Sequence, residues 1–411
     1  MTLDSEQRTN YLGETVPYFN SIAYFPDGKQ MIGGSSDNSV RRWDLRTGKE
    51  IVDERVIRER EVFAVAVSSD SRWVITGGGD RNGDDLGELK SHEVETGTMR
   101  KFEGHSDTVR CIDISVDNKL LASGSMDHTA RIWDLNTGKL VAGPFECADS
   151  WVSAVRFSQD SKKLAVKSGA YGRCVEIWGI QEQKLDRRVG KGGSGYGILP
   201  DTPVFWTTKD RSIVAAFSLG DDFTRPTEIY EVDVSTVETS TFGAPFEHAQ
   251  GIRGFALSFD CALLACASRD STIKLWAFES RQLLASFDAH DPLTLILSPN
   301  SRQLAYFTFD GSRIHICDIP PDVLARLWPE QATCSVCIFT AYIHLLSTNS
   351  SCRPLRLNIR TALTHSMYVI LFFHPSTSIP LIVRHYCSLT RLAILLPCAV
   401  SQCHGLLLPD R

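Results

Sequence analysis

Eleven histidines, twelve cysteines and one glycine-rich run are the residues of this chain from which chemistry could be built. The run from Lys191 to Gly197 reads KGGSGYG. A phosphate cradle needs the G-x-x-x-x-G-K-[ST] spacing and a helix start that aims backbone amides at the anion. The run has neither and reads as a loop between structural units. Cys334 and Cys337, with His344 and Cys352 beyond, offer the sulfur and nitrogen ligands that zinc takes. A structural zinc site also needs a small framework of turns to space its ligands, and the flanking residues supply none. No metal and no cofactor are expected. His105, His248 and His290 recur at one position of a repeating unit. A catalytic residue is needed once, not once per repeat, so these histidines read as structural. No G-x-S-x-G, H-E-x-x-H or paired-carboxylate constellation stands out, and the chain reads as a non-enzyme.

Histidines that repeat must be carried by elements that repeat. The clearest unit runs from Phe102 to Lys139, FEGHSDTVRCIDISVDNKLLASGSMDHTARIWDLNTGK. Its apolar runs, 109–115, 120–125 and 130–135, alternate and are separated by polar turns, the pattern of short antiparallel strands. The same frame recurs along the chain. The position of Trp133 is taken elsewhere by Trp43, His92, Trp178, Tyr230, Trp276 and Cys317, at intervals of 41 to 52 residues. The turn before the second strand recurs with it: PDGKQMIGGS, SDSRWVITGG, VDNKLLASGS, QDSKKLAVKS, KDRSIVAAFS, FDCALLACAS and PNSRQLAYFT. A period of ~40–45 residues with a G-H…W-D signature marks a propeller of repeated blades.

At these residues the chain resembles the WD40-repeat family, in its general eukaryotic form, over roughly residues 9–320. The resemblance implies an all-β fold, a seven-bladed WD40 β-propeller with four-stranded antiparallel blades. Each repeat would supply the outer strand of one blade and the inner three strands of the next. It also implies that His105, Ser123, Asp127 and Trp133 form a buried hydrogen-bonded tetrad. The residue chemistry agrees, because a buried imidazole, carboxylate and indole N–H each need a partner. The other units depart from this one. The second has His92 and a long turn, GDRNGDDLGE; the fourth offers Cys147-Ala148 in place of the histidine; the sixth keeps His248, Asp270 and Trp276; the seventh keeps His290 and Asp310.

Residues 1–8 read as an N-terminal extension, 9–327 as the propeller and 328–411 as an irregular C-terminal tail. Pro320 and Pro321 are poor starters for an outer strand. The segment 9–12 is therefore expected to complete the seventh blade and remove its open edge. From residue 331 onward there are six arginines, no lysine and one acid, a balance of +5. Against the formal −6 of the whole chain, the first 330 residues therefore carry −11. An acidic body repels phosphate backbones, so general nucleic-acid binding is not expected. The tail has no apolar stretch of the ~18–20 residues that a membrane span needs. Its composition also fits translated non-coding sequence. The polar N-terminus is not a secretory signal, and the six cysteines at 111, 147, 174, 261, 266 and 317 read as small buried hydrophobes. An intracellular location, cytoplasmic and/or nuclear, is expected.

These features point to a non-catalytic scaffold that binds other proteins or peptides through the loop rim. Family geometry places the starts of the inner strands at the narrow end of the ring, with the residues before the turn aspartates beside them. The partner-binding candidates are Tyr18, Phe63, Arg110, Met126, Trp151, Arg253, Arg269 and Leu293. Aromatic residues, Met and Arg among them match the composition of interface hot spots. The alternative for Phe63, Trp151 and Leu293 is plain core. The segment 31–46 is also similar to the box of WD-repeat substrate receptors of cullin-RING ubiquitin ligases, which would make Arg46 a ligase-adaptor contact. A propeller enzyme is the third class weighed.

Overall fold

In a computed structural model of the chain, the alternating runs form seven antiparallel sheets whose inner strands stand around one channel. The residues described are 1–4, 19–51, 60–79, 87–147, 151–168, 174–190, 202–208, 210–217, 228–234, 246, 248, 250–308, 313–328, 367–372 and 381–386. The chain divides into two compact units, Met1–Thr333 and Cys334–Arg411. The first is the seven-bladed β-propeller. In the second, Met367–Phe372 and Leu381–Tyr386 pair as antiparallel strands. Cys334, Cys337, His344 and Cys352, and the run 191–197, lie outside the described residues. Among the described residues, no helix is long and apolar enough to cross a membrane.

The inner strands, in blade order, are Phe19–Tyr24, Glu61–Val67, Val109–Ile114, Val152–Phe157, Val204–Trp206, Ile252–Leu257 and Pro292–Leu297. Each ends in a turn of one construction. In the third blade Ser115 Oγ donates to Asp117 Oδ1 at 2.7 Å and accepts from the Leu120 amide at 2.9 Å. The next residue turns left-handed: Gly28, Ser71, Asn118, Ser161, Asp210, Cys261 and Ser301 all have φ between 51° and 66°. Polar side chains that bond their own backbone offset the cost of that conformation.

The core lies between successive sheets. Ile75 and Leu89 of the second blade meet Val109, Leu121 and Trp133 of the third. Close approach needs a small residue on the second strand. A Cβ on Gly124 would stand 2.3 Å from Val152 Cγ1 of the next blade, and one on Gly34 would stand 2.4 Å from Val62 Cγ1. The fourth blade puts Lys167 there instead. Its buried Nζ crosses to the carbonyl of Thr202 at 3.2 Å and so ties this blade to the fifth.

Two sequence expectations change. The strand that closes the seventh blade is Thr2–Asp4, which pairs antiparallel with Arg313–Asp318, Leu3 opposite Ile314. It falls inside the stretch read as an extension, and the segment 9–12 lies outside the described residues. Pro321 begins a helix, Pro321–Leu327, where a proline is tolerated because its missing N–H would be unpaired anyway. The second change is in the fifth blade. Leu121 pairs with Trp133 in the third blade, and the equivalent Ile213 pairs with Val232, so Val232 and not Tyr230 holds the tryptophan position. The turn keeps its length, with Thr207 Oγ1 in place of the usual serine accepting from the Ser212 amide at 3.3 Å, but its aspartate, Asp210, stands one place later, at the left-handed position that Asn118 holds in the third blade. Among the described residues this blade has three strands, with a bridge from Ile229 to Phe246 beside the third.

Candidate functional site

The third blade brings the four repeat residues together. His105 Nδ1 lies 2.7 Å from Asp127 Oδ2, His105 Nε2 lies 2.7 Å from Ser123 Oγ, and Trp133 Nε1 donates to the same Oγ at 2.8 Å. A proton on Nδ1 facing the carboxylate leaves Nε2 to accept from the Ser123 hydroxyl, an assignment that satisfies every group. Burial works to raise the Asp127 carboxyl. Hydrogen bonds from His105, Thr129 and Ser106 outweigh it and hold the group well below the usual carboxylate range. A serine, histidine and aspartate in this order resemble a hydrolase triad. Here, however, Ser123 is fully buried and its oxygen already receives the indole N–H. The set is a clamp between strands.

Other blades solve the same problem differently. In the sixth, His248, Asp270 and Trp276 are present, but Cys266 stands where the third blade has Ser123. Trp276 Nε1 and both ring nitrogens of His248 are buried without a hydrogen-bond partner, and His248 Nδ1 is 3.9 Å from Asp270 Oδ2. Burial, with Lys274 nearby, pushes the His248 pKa down to about 4. In the fourth, the fully buried Glu176 accepts from Trp178 Nε1 at 3.3 Å and from Arg188 at 2.7 and 3.0 Å.

The partner-binding candidates gather at the end of the channel where the inner strands begin. Six of these strands skip one residue in pairing with the second strand, and the skipped residues are Asn20, Phe63, Arg110, Ser153, Arg253 and Leu293. A bulged residue leaves the ladder and its side chain is re-aimed. Phe63, Arg110, Arg253 and Leu293 are half-buried. The Arg110 guanidinium lies 4.6 Å over the Phe63 ring, and Arg253 Nη1 lies 2.5 Å from Asp291 Oδ1. Asn20 Nδ2 donates to the carbonyl of Val62 at 3.0 Å. The half-buried Trp151 precedes its strand. Met126, half-buried, and Arg269, exposed, sit at equivalent turns, their amides bonded to the carbonyls of Thr108 and Gly251. Tyr18 lies outside the described residues. The channel below has a volume of about 440 Å³. Arg46 is exposed in the turn after Trp43-Asp44, at the other end of its strand from the mouth. Asn20 and Ser153 share the bulge; their signal is an apolar start followed by one residue out of alternation.

The family model described as "WD domain, G-beta repeat" matches residues 6–44, 55–82, 97–134 and 240–277. These matches and the ring of seven sheets make the chain a WD-repeat β-propeller. It is also similar to protein groucho of Drosophila melanogaster, with 33% identity over 138 residues. That match covers 33% of this chain and 17% of the groucho protein, so the chain spans well under two thirds of that relative.

Proposed function

We propose that the propeller is a non-catalytic scaffold that binds other proteins or peptides at the narrow mouth of its channel. The observation that carries this reading is the ring of bulged residues. It gathers an arginine on an aromatic ring, a second arginine, a leucine and a neighbouring tryptophan, the side chains enriched in interface hot spots. The acidic body favours such partners over nucleic acid. Buried thiols at Cys147, Cys174 and Cys266 suit the cytoplasm or nucleus, where we place the protein. The test is affinity purification of the full chain read by mass spectrometry, beside a Trp151→Ala, Arg253→Ala double variant. A folded variant that retains the same partners sinks the proposal. A narrower reading, substrate receptor of a cullin-RING ligase, rests on the exposure of Arg46. Arg46→Ala would then lose the ligase adaptor from pull-downs, and a wild-type pull-down without adaptor ends that reading.

A further inference from the structure

Phe259 is 79% exposed, more than any other large apolar side chain among the described residues. It sits in the turn at the far end of the sixth inner strand, away from the bulged mouth. The same turn position is polar in two other blades, where Ser69 and Gln159 donate their amides to Asn118 and Asp210 of neighbouring turns. Beside Phe259 a groove of about 800 Å³ runs between its turn, the turn at Pro299 and the helix Pro321–Leu327. That volume is within the range of ligand sites.

The groove is built before anything enters it. Val323 fixes the helix by burial among Leu284, Leu304 and Ile319. Arg326 Nη1 donates to the carbonyl of Leu284 at 3.1 Å. Trp328 Nε1 donates to Asp260 Oδ2 at 2.9 Å, which pins the wall to the Phe259 turn. The floor is apolar, with Pro299, Ile319 and Leu324. The rim is not neutral. Asp260 and Asp318 are exposed along it against the single cation Arg302, and Asp322 stands exposed on the helix. Asp318 accepts one hydrogen bond, from Gln303 Nε2 at 2.9 Å.

We infer that this groove is a second docking site, at the opposite end of the propeller from the bulged mouth, for a short peptide segment that carries an apolar side chain flanked by lysine or arginine. Phe259 and Pro299 would pack the apolar side chain, and the carboxylates would select the flanking cations. Burying an exposed phenylalanine supplies the drive, and charge supplies the choice of partner.

The probe is a fluorescein-labelled peptide of sequence KKFLKK, with EEFLEE as its charge-reversed counterpart, titrated into the full chain by fluorescence polarisation. Saturable binding of KKFLKK over EEFLEE is expected, weakened about tenfold by Phe259→Ser and by Asp318→Lys. Both positions are exposed, so near-UV circular dichroism should stay at wild type. No saturable binding, equal binding of the two peptides, or folded variants that bind as before overturns the proposal. So does loss of KKFLKK from the Trp151→Ala, Arg253→Ala variant instead. Sedimentation velocity covers the other occupant: a dimer broken by Phe259→Ser assigns the groove to a second copy and refutes the peptide reading.

Discussion

Trp133 and Ser123 stand 2.8 Å apart, the indole Nε1 donating to the hydroxyl oxygen. Trp276 and Cys266 hold the same two positions in the sixth blade, and there the indole has no partner. A thiol is a weak acceptor, and burial pushes the Cys266 thiol up so that it keeps its proton. One oxygen atom separates a satisfied clamp from an unsatisfied one.

Cys266→Ser should therefore stabilise the propeller. The new hydroxyl would accept from Trp276 Nε1 and face His248, a gain of about 1 kcal/mol. Urea midpoints of the variant and wild type measure it. A lower midpoint in the variant would mean that the smaller side chain leaves a cavity costing more than the hydrogen bonds return.

His248 makes stability depend on pH. Its folded pKa is about 4, below the 6.5 of the free side chain. Between those values the unfolded chain binds the extra proton, so stability rises with pH there. The contribution is intact above about 6.5 and is lost as pH falls toward 4. Denaturant melts across that window should show a shallower decline for His248→Gln than for wild type. Parallel curves would contradict the burial of a neutral imidazole.

In the fourth blade, Arg188→Ala strips the main partner from a fully buried carboxylate. A loss of about 3 kcal/mol is expected, because Glu176 keeps its desolvation cost without its counter-ion. Adding Glu176→Gln should recover part of the loss. A double variant no more stable than Arg188→Ala alone would show that packing, not charge, fixes this site.

At the ring closure, Leu3 is 1% exposed and packs with Phe19, Ile314 and Ile316. Leu3→Ala should cost about 2–4 kcal/mol, the range for a buried leucine. Thermal melts of the purified variant check it. An unchanged midpoint would show that the seventh blade does not depend on its fourth strand.

The repeat itself was plain in the residues. Six of the seven tryptophan positions hold their predicted residues, because strand alternation and the turn before the second strand recur at nearly constant spacing. The fifth is misplaced because its turn aspartate, Asp210, sits one place later than Asp117 does, in a turn of unchanged length that starts from Thr207 instead of a serine. Thr2–Asp4 escaped notice because three residues show no periodicity, and their partner lies at the other end of the propeller. Glu176 and Arg188 could not be paired from sequence, since they meet only once two strands lie side by side. Trp206 of the fifth blade donates its Nε1 to the carbonyl of Arg156 in the fourth at 3.0 Å, a contact between blades that residue spacing does not show. At the mouth, residue types were legible but the bulges were not, because the break in alternation is a single residue long at the very start of each strand and is defined only by the pairing.

The strand Thr2–Asp4 also sets an order in time. It leaves the ribosome ahead of the blades it closes, and its partner Arg313–Asp318 is made some 311 residues later, the separation of Leu3 from Ile314. At about 5–20 residues per second, the early strand waits on the order of tens of seconds for its place. Throughout that wait Leu3 has only the first blade's half of its cluster, Phe19, Ile22, Met31 and Trp43, and lacks Ile314 and Ile316. The nascent chain can stack blades one on the next as they appear, but the circle stays open until translation has passed the last of them. Chaperone demand should thus be greatest late in synthesis, and a ribosome stalled before residue 313 would hold an arc of blades with an unsatisfied face at each end.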